Sequence, residues 1–432
     1  MLPTQSRRIA VILILLLLIL SLNPTQLSNP TPLDQKLIEG DSQKIMEIMD
    51  LIDEDLLSEY LAILVGFAPR ATGTYGCQQT ADYLKSQFQT NGLEVWVQDY
   101  TAFGNKWHPR LYKGQNVEGT IRGTQTDSDS CVIFNAHYDT VEETWGANDD
   151  GSGTAAVLAA SYALSQFEFK HDIKLVGFSG EEFGLLGSQA YSKTMHLQSK
   201  DIVVELNADM IGKATSAETG RRMGLSMTED AGWVADIFTY VNQTKNLDFS
   251  FGLGTTERDG RGWSDYFSFC EYGYETVSIW QSEGDEYMHT WGDDLANVNM
   301  SYLVNMTRLI AGTLAVLADM DEFPTQIRIQ SPSYGGIYFE NRLLKQKDRF
   351  KALILDDIWV WAEALHGEEN IDYVEFYRDN KLLGIDEDAP YKYEMERFLI
   401  GNHRITVKAY DEAGQLLSTD FHDAFFFNLW KN

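Results

Sequence analysis

Apolar residues follow two textures along this chain. In the first three quarters they come in short, nearly unbroken runs, and Cys131 to Ala136 and Ile173 to Phe178 read as buried strands bounded by loops. The run Thr154 to Leu164, directly after Gly151-Ser152-Gly153, reads as a helix, and Leu303 to Leu317 reads as a second helix that closes this part. After Pro324 the texture becomes alternation. Ile405, Val407 and Ala409 are interleaved with Arg404, Thr406 and Lys408, and Asp411-Glu-Ala-Gly414 ends the run. Strands with one buried face alternate in this way, and several of them between turn signals predict a β-sandwich.

The first segment stands apart from both textures. Arg7 and Arg8 precede an apolar stretch from Ile9 to Leu20, followed by Ser21-Leu22-Asn23-Pro24. As a helix this stretch would span roughly 20 Å, short of a bilayer's hydrocarbon core, which favours the apolar region of an export signal. No small-x-small cleavage site follows, so an uncleaved anchor with its basic flank inside fits as well. The expected organisation is residues 1–29 as signal peptide or anchor, 30–323 as the larger domain and 324–432 as the β-sandwich. The expected location is outside the cytoplasmic membrane, secreted or anchored, with the membrane touched only through this segment.

Composition narrows the partners. A chain of 432 residues with 44% hydrophobic content is long enough for two cores. The formal net charge of −30 excludes nucleic acid as an expected partner, because phosphate recognition needs clustered Lys and Arg. The three cysteines, Cys77, Cys131 and Cys270, are far apart and form no disulfide scaffold.

Candidate chemistry sits where the predicted strands end. His137-Tyr-Asp139 follows the first strand, Asn148-Asp149-Asp150 precedes the helix, and Glu181-Glu182 follows the second strand. Asn207-Ala-Asp209 and Met288-His289-Thr290 come further on. Imidazole nitrogens and carboxylate oxygens are the donors zinc accepts. Asp149, Glu182 and Asp209 would bring three negative charges against the four of two Zn2+, with His137 and His289 as neutral donors. Such a balance leaves room for the activated water of a hydrolytic centre. Two adjacent carboxylates cannot point the same way, so Glu182 is read as a ligand and Glu181 as general base. Strand alternation puts Asp139 on the face of His137, where its carboxylate would orient the ring. Asp149 lies near a helix N-terminus, and Asp150, Asp265 and Asp293 are read as supporting or ordinary acidic residues.

In this order the pieces HxD, GANDDGSG, GEEFGLLGS, NADMIG and HTWGDDL resemble the secreted zinc aminopeptidases of the leucyl aminopeptidase and aminopeptidase Y type. The similarity covers about residues 55 to 320. It implies an α/β fold, a mixed sheet flanked by helices, entered through Leu56 to Arg70, Thr80 to Gln89, Leu93 to Tyr100 and Asn116 to Gly123. It implies two zinc ions, one held by His137 and Asp209, the other by Glu182 and His289, with Asp149 between them and Glu181 as base. The implied substrate is a peptide cut at its amino terminus.

The sequence departs from the family near Trp263-Ser-Asp265-Tyr266, where relatives often carry histidine in place of Tyr266; these three residues are expected at the substrate pocket. The stretch Gly254 to Trp263 is expected to be a mobile loop at its mouth. The same scaffold also serves carboxypeptidases, single-zinc glutaminyl cyclases and receptor-like relatives that have lost their ligands. Val374 to Gly384 and Gly401 to Asp411 resemble the immunoglobulin-like modules of secreted hydrolases, and name no ligand for the second domain.

Overall fold

The computed structural model describes residues 41–126, 128–256, 262–347, 351–395 and 399–428. The amino-terminal signal or anchor and residues 257–261 of the expected mobile loop lie outside the described residues.

The first part alternates helices and strands. Helices α1 (Ser42–Asp50), α2 (Glu54–Gly66) and α3 (Tyr75–Thr90) lead into the antiparallel pair β1 (Glu94–Phe103) and β2 (Leu111–Ile121). Then come β3 (Cys131–His137), α4 (Gly151–Leu164), β4 (Asp172–Phe178), α5 (Leu186–Leu197) and β5 (Ile202–Ala208). The part ends with β6 (Arg222–Met227), α6 (Val234–Lys245), β7 (Ser250–Thr255), α7 (Tyr266–Cys270), β8 (Thr276–Gln281) and α8 (Met300–Asp319). Its eight strands form one mixed sheet in the order β1-β2-β4-β3-β5-β8-β6-β7.

The centre of that sheet explains its sequence. Strands β4, β3, β5 and β8 run parallel to their neighbours in this order. All seven residues of β3 and of β5 are buried, which is why the runs are continuous rather than alternating. Helix α4 is Ala-rich and almost wholly buried, so small side chains let it lie close to the sheet. The Asp150 carboxylate caps it by accepting the Gly153 N–H at 2.9 Å, a contact that contributes about 1 kcal/mol. Helix α8 is long and apolar enough to cross a membrane, yet it lies inside the core between α1, α4 and α6. Asn299 caps it by accepting the Tyr302 N–H at 3.0 Å.

From Gln326 the chain is all β. It adds β9 (Gln326–Ser331), β10 (Gly336–Phe339), β11 (Arg342–Gln346), β12 (Ala352–Ile354) and β13 (Trp359–His366). The remaining strands are β14 (Tyr373–Arg378), β15 (Lys381–Asp386), β16 (Tyr391–Glu394), β17 (Leu399–Tyr410) and β18 (Leu416–Asn428). They make a seven-stranded sheet, β11-β10-β12-β18-β17-β14-β15, and a three-stranded sheet, β16-β13-β9, around one core. Ile405, Val407 and Ala409 point into that core, as their alternation requires. The pairs β10/β12 and β12/β18 are parallel, unlike the all-antiparallel sheets of an immunoglobulin sandwich.

A polar seam joins the two parts. Asp230 accepts the Ser418 hydroxyl at 2.6 Å and the Thr419 N–H at 2.7 Å, and Tyr334 donates to Glu271 at 2.9 Å. The Arg328 guanidinium lies 4.2 Å above the Tyr274 ring, and His366 Nε2 is 3.1 Å from Asp201 Oδ1. His196 packs on Tyr272 at 4.9 Å between ring centroids. Burial, then the positive potential of His422 and Arg328, pushes its pKa down to about 4. In the unfolded chain a histidine titrates near 6.5, so between these values the unfolded state binds more protons. The stability that His196 contributes is present above about pH 6.5 and is lost as pH falls toward 4. His196→Gln is therefore expected to shrink the fall in Tm between pH 7 and pH 5; an unchanged fall in a thermal scan would remove His196 from the acid response.

Candidate metal centre

The parallel strands end along one edge of the sheet, where ligand-binding residues of open α/β folds gather. His137 is the last residue of β3, Glu181 and Glu182 follow β4, Asp209 follows β5 and His289 lies in the loop after β8. Gly180 makes the turn from β4 to Glu181 with φ +79; a Cβ there would stand 2.5 Å from the Tyr100 hydroxyl and 2.9 Å from Leu186 Cβ. Met210 and His289 also adopt left-handed backbone, with φ 59 and 61, conformations that cost L-residues about 1 kcal/mol or more and collect at functional sites.

Five side chains converge into two groups, His137/Asp149/Asp209 and Asp149/Glu182/His289. His137 Nε2 lies 3.3 Å from Asp149 Oδ1 and 3.7 Å from Asp209 Oδ1. His289 Nε2 lies 3.2 Å from Asp149 Oδ2 and 3.0 Å from Glu182 Oε2. Asp149 thus turns one oxygen to each group. Two donors each about 2.0 Å from a tetrahedral zinc stand about 3.3 Å apart, so both sets of donors fit that ion. Burial differs sharply across the pair: the His137 side chain is 1% exposed and the His289 side chain 45%.

The electrostatics follow from this crowding. Hydrogen bonds to Asp149 and Glu182 push the His289 pKa up to about 10. Burial pulls His137 down, but contacts with Asp139, Asp149 and Asp209 outweigh it and hold the ring well above its ordinary value. Burial would raise Asp149, yet the two imidazoles drive it far below the carboxylate range. Burial, then Asp149, lifts Glu182 to about 7. Burial also raises Glu181 well above its ordinary value, and Glu182, Asp209 and Asp265 add to the effect. A cation between these groups relieves the carboxylates and displaces the imidazole protons.

The partner of His137 differs from the sequence expectation. The ring Nδ1 lies 3.1 Å from the main-chain carbonyl of Asp139, whereas the Asp139 carboxylate is 3.7 Å away. Strand β3 stops at His137, so the two-residue alternation no longer governs Asp139. A carbonyl only accepts, which puts the proton on Nδ1 and leaves Nε2 free for a ligand's role. The Asp139 carboxylate instead accepts the Thr72 hydroxyl at 2.9 Å and the Glu181 N–H at 3.2 Å. It fixes the backbone of Glu181, whose carboxylate has no hydrogen bond among the described residues.

Three other carboxylates sort themselves by partner. Asp150 Oδ1, besides capping α4, accepts the Met210 N–H at 3.1 Å and so fixes the turn after Asp209. Asp293 accepts the N–H groups of Asn148 at 2.7 Å and Asp149 at 3.0 Å. Asp265 carries no exposed surface at the start of α7, and burial lifts its carboxyl pKa to about 7. Tyr266 is 8% exposed and receives the Trp263 N–H on its hydroxyl at 3.3 Å, while Trp263 is 87% exposed.

Further supports carry no signal in the sequence pattern. Asn148 accepts the Gly212 N–H at 2.9 Å and donates to Asp285 at 2.7 Å, and Asp285 pairs with Lys213 at 2.8 Å. Arg70, wholly buried, reaches the backbone on either side of Asp139. Of these, only Asn148 is marked in the sequence, by its place in the NDD motif; nothing local singles out Lys213 or Arg70.

Residues 116–314 match the model of peptidase family M28. Over these residues the chain is similar to that family. Leucine aminopeptidase 1 of Sclerotinia sclerotiorum is 29% identical over 273 residues, which are 56% of this chain and 66% of that relative. Aminopeptidase YwaD of Bacillus subtilis is 26% identical over 236 residues, covering 52% of this chain and 50% of its own length. This chain therefore spans about half to just under two thirds of these curated relatives. Among solved structures, BSAP, described as a zinc aminopeptidase from Bacillus subtilis, superposes with a TM-score of 0.55 over 62% of this chain and 96% of its own, at 17% identity. The M28 segment shares that fold. Every residue of the two clusters lies inside the matched segment.

Asp293 steers the backbone of Asp149, the residue common to both clusters. Asp293→Asn, which loses one acceptor, is expected to weaken divalent-metal binding by roughly tenfold or more. Chelator competition measures this, and unchanged affinity would mean that the Asn148–Asp149 backbone holds its course without the carboxylate.

Proposed function

We propose that this protein is a zinc-dependent aminopeptidase that removes amino-terminal residues from peptides, with two zinc ions held side by side. The observation that carries the reading is the split of Asp149, one oxygen 3.3 Å from His137 Nε2 and the other 3.2 Å from His289 Nε2. A histidine in each group favours zinc over magnesium or calcium, which prefer all-oxygen sites. The aminopeptidase names of the M28 relatives support the substrate class.

When bound, zinc supplies Lewis acidity toward a carbonyl oxygen and lowers the pKa of water. The remaining work falls to side chains. His137, Asp149 and Asp209 would hold one ion, and Asp149, Glu182 and His289 the other. Glu181, pinned through its N–H by Asp139 and otherwise free in the cleft, takes the proton of the attacking water and returns it to the leaving amine. Asp139 and Thr72 keep Glu181 aimed. Arg7, Arg8 and the apolar run after them support work outside the cytoplasmic membrane.

Glu181→Gln is expected to keep about two zinc ions per chain while kcat falls by roughly 10² to 10⁴. Metal analysis and peptide turnover on the same preparation check this, and undiminished turnover would remove Glu181 as base. Peptides with a free amino terminus should be cut far faster than acetylated ones, with chelator abolishing the activity. Equal rates on blocked peptides would rule out an aminopeptidase, and ring closure of amino-terminal glutamine in place of hydrolysis would mark a cyclase.

A further inference from the structure

Arg70 stands out among the buried groups that this mechanism leaves unused. Its side chain has no exposed surface, and no carboxylate lies within ion-pair distance of it among the described residues. Four of its hydrogen bonds go to main-chain carbonyls. Nε donates to Tyr138 at 2.8 Å, Nη1 to Leu64 at 3.3 Å and Trp145 at 3.0 Å, and Nη2 to Gly146 at 2.8 Å. Its own N–H donates to the Thr140 hydroxyl at 3.0 Å.

These carbonyls belong to three separate pieces of chain. Leu64 is in the last turn of α2, where its carbonyl also accepts the Phe67 N–H at 3.1 Å and lies at the helix's negative end. Tyr138 stands between His137 and Asp139. Trp145 and Gly146 precede Asn148 and Asp149 in the loop that delivers the shared ligand. Only a planar fork with five donors spans such a set; an ammonium is a point donor with three. The loop is packed around it: Gly146 has φ +62, and a Cβ there would lie 2.3 Å from Thr140 Cγ2 and 3.0 Å from Arg70 Nη2.

The charge acts separately from the geometry. The guanidinium faces Asp293, Asp150, Asp139 and Asp149 across low-dielectric interior, so it relieves the repulsion among them. Toward an incoming cation the same charge is unfavourable. Geometry and charge therefore push metal affinity in opposite directions, and a measurement can tell which prevails.

We propose that Arg70 is a positioning residue for the metal centre, whose guanidinium fixes the spacing between the His137 segment and the Asp149 loop so that both clusters stand ready for metal. This rests on the two-zinc reading. The fork, rather than the charge, is the decisive property.

The test uses the full chain with Arg70→Lys and Arg70→Met, zinc affinity measured by chelator competition, and Tm measured with and without zinc. Geometry predicts that both variants bind zinc about 10- to 100-fold more weakly, the range usual for residues that orient metal ligands, and that the rise in Tm on adding zinc shrinks. Lysine retains the charge but not the fork, so recovery of wild-type affinity by Arg70→Lys would overturn the proposal. So would tighter zinc binding in Arg70→Met, the sign expected if charge prevails, or affinities within twofold of wild type accompanied only by a lower Tm equal in both metal states. Should the Met variant not fold, the Lys variant carries the test alone. A wild-type protein that takes up no zinc overturns the two-zinc reading and this proposal with it, whereas two zincs in every form at equal affinity overturns this proposal only.

Discussion

Carboxylate crowding is the constraint on which the rest of this structure depends. Asp139, Asp149, Asp150, Glu181, Glu182, Asp209, Asp265 and Asp293 gather at one edge of the central sheet, and burial raises the pKa of five of them. Asp149 alone is driven down, because both imidazoles face it. Like charges brought this close in a low dielectric oppose folding unless cations or hydrogen-bond donors compensate. The compensation comes from His137, His289 and Arg70, and from main-chain N–H groups aimed at Asp139, Asp150 and Asp293.

The fold provides this support with ordinary parts. Parallel strands β4, β3 and β5 end together, so their following residues meet without long excursions of the chain. Helix α4 begins beside Asp149, and its capping aspartate also holds the turn after Asp209. One carboxylate thus does two backbone jobs, at the start of α4 and at the turn after Asp209. Left-handed backbone occurs at two positions of the site, Met210 and His289, above the close-packed core of the first part.

The donor set was legible because its members stand next to strand ends that continuous apolar runs reveal. The alternating strands of the second part were legible for a similar reason, since Ile405, Val407 and Ala409 have only one buried face to fill. What escaped depended on where the chain stops being regular. Alternation carried past His137 gave Asp139 the wrong contact atom, since its carbonyl stands 3.1 Å from the ring and its carboxylate 3.7 Å. The parallel pairings of β12 follow from tertiary packing. Arg70 closes the stretch Leu56 to Arg70 that the sequence reads as an entry helix, with nothing local to single it out; its burial is decided by carbonyls as far off as Gly146.

The two clusters are unequal, and the inequality has a direction. His137 is sealed under the loop that Arg70 staples, while His289 is nearly half exposed. Solvent therefore reaches the His289 ring far more readily than the His137 ring. Trp145 and Trp291 meet edge to face at 5.0 Å beside that opening, both partly exposed. The Trp145 carbonyl is one of the four that Arg70 holds. The partly exposed Trp145 and the buried guanidinium are thus joined through one main-chain carbonyl in the loop that leads to Asp149. Rigidity at the buried cluster and access at the exposed one are two consequences of the same loop.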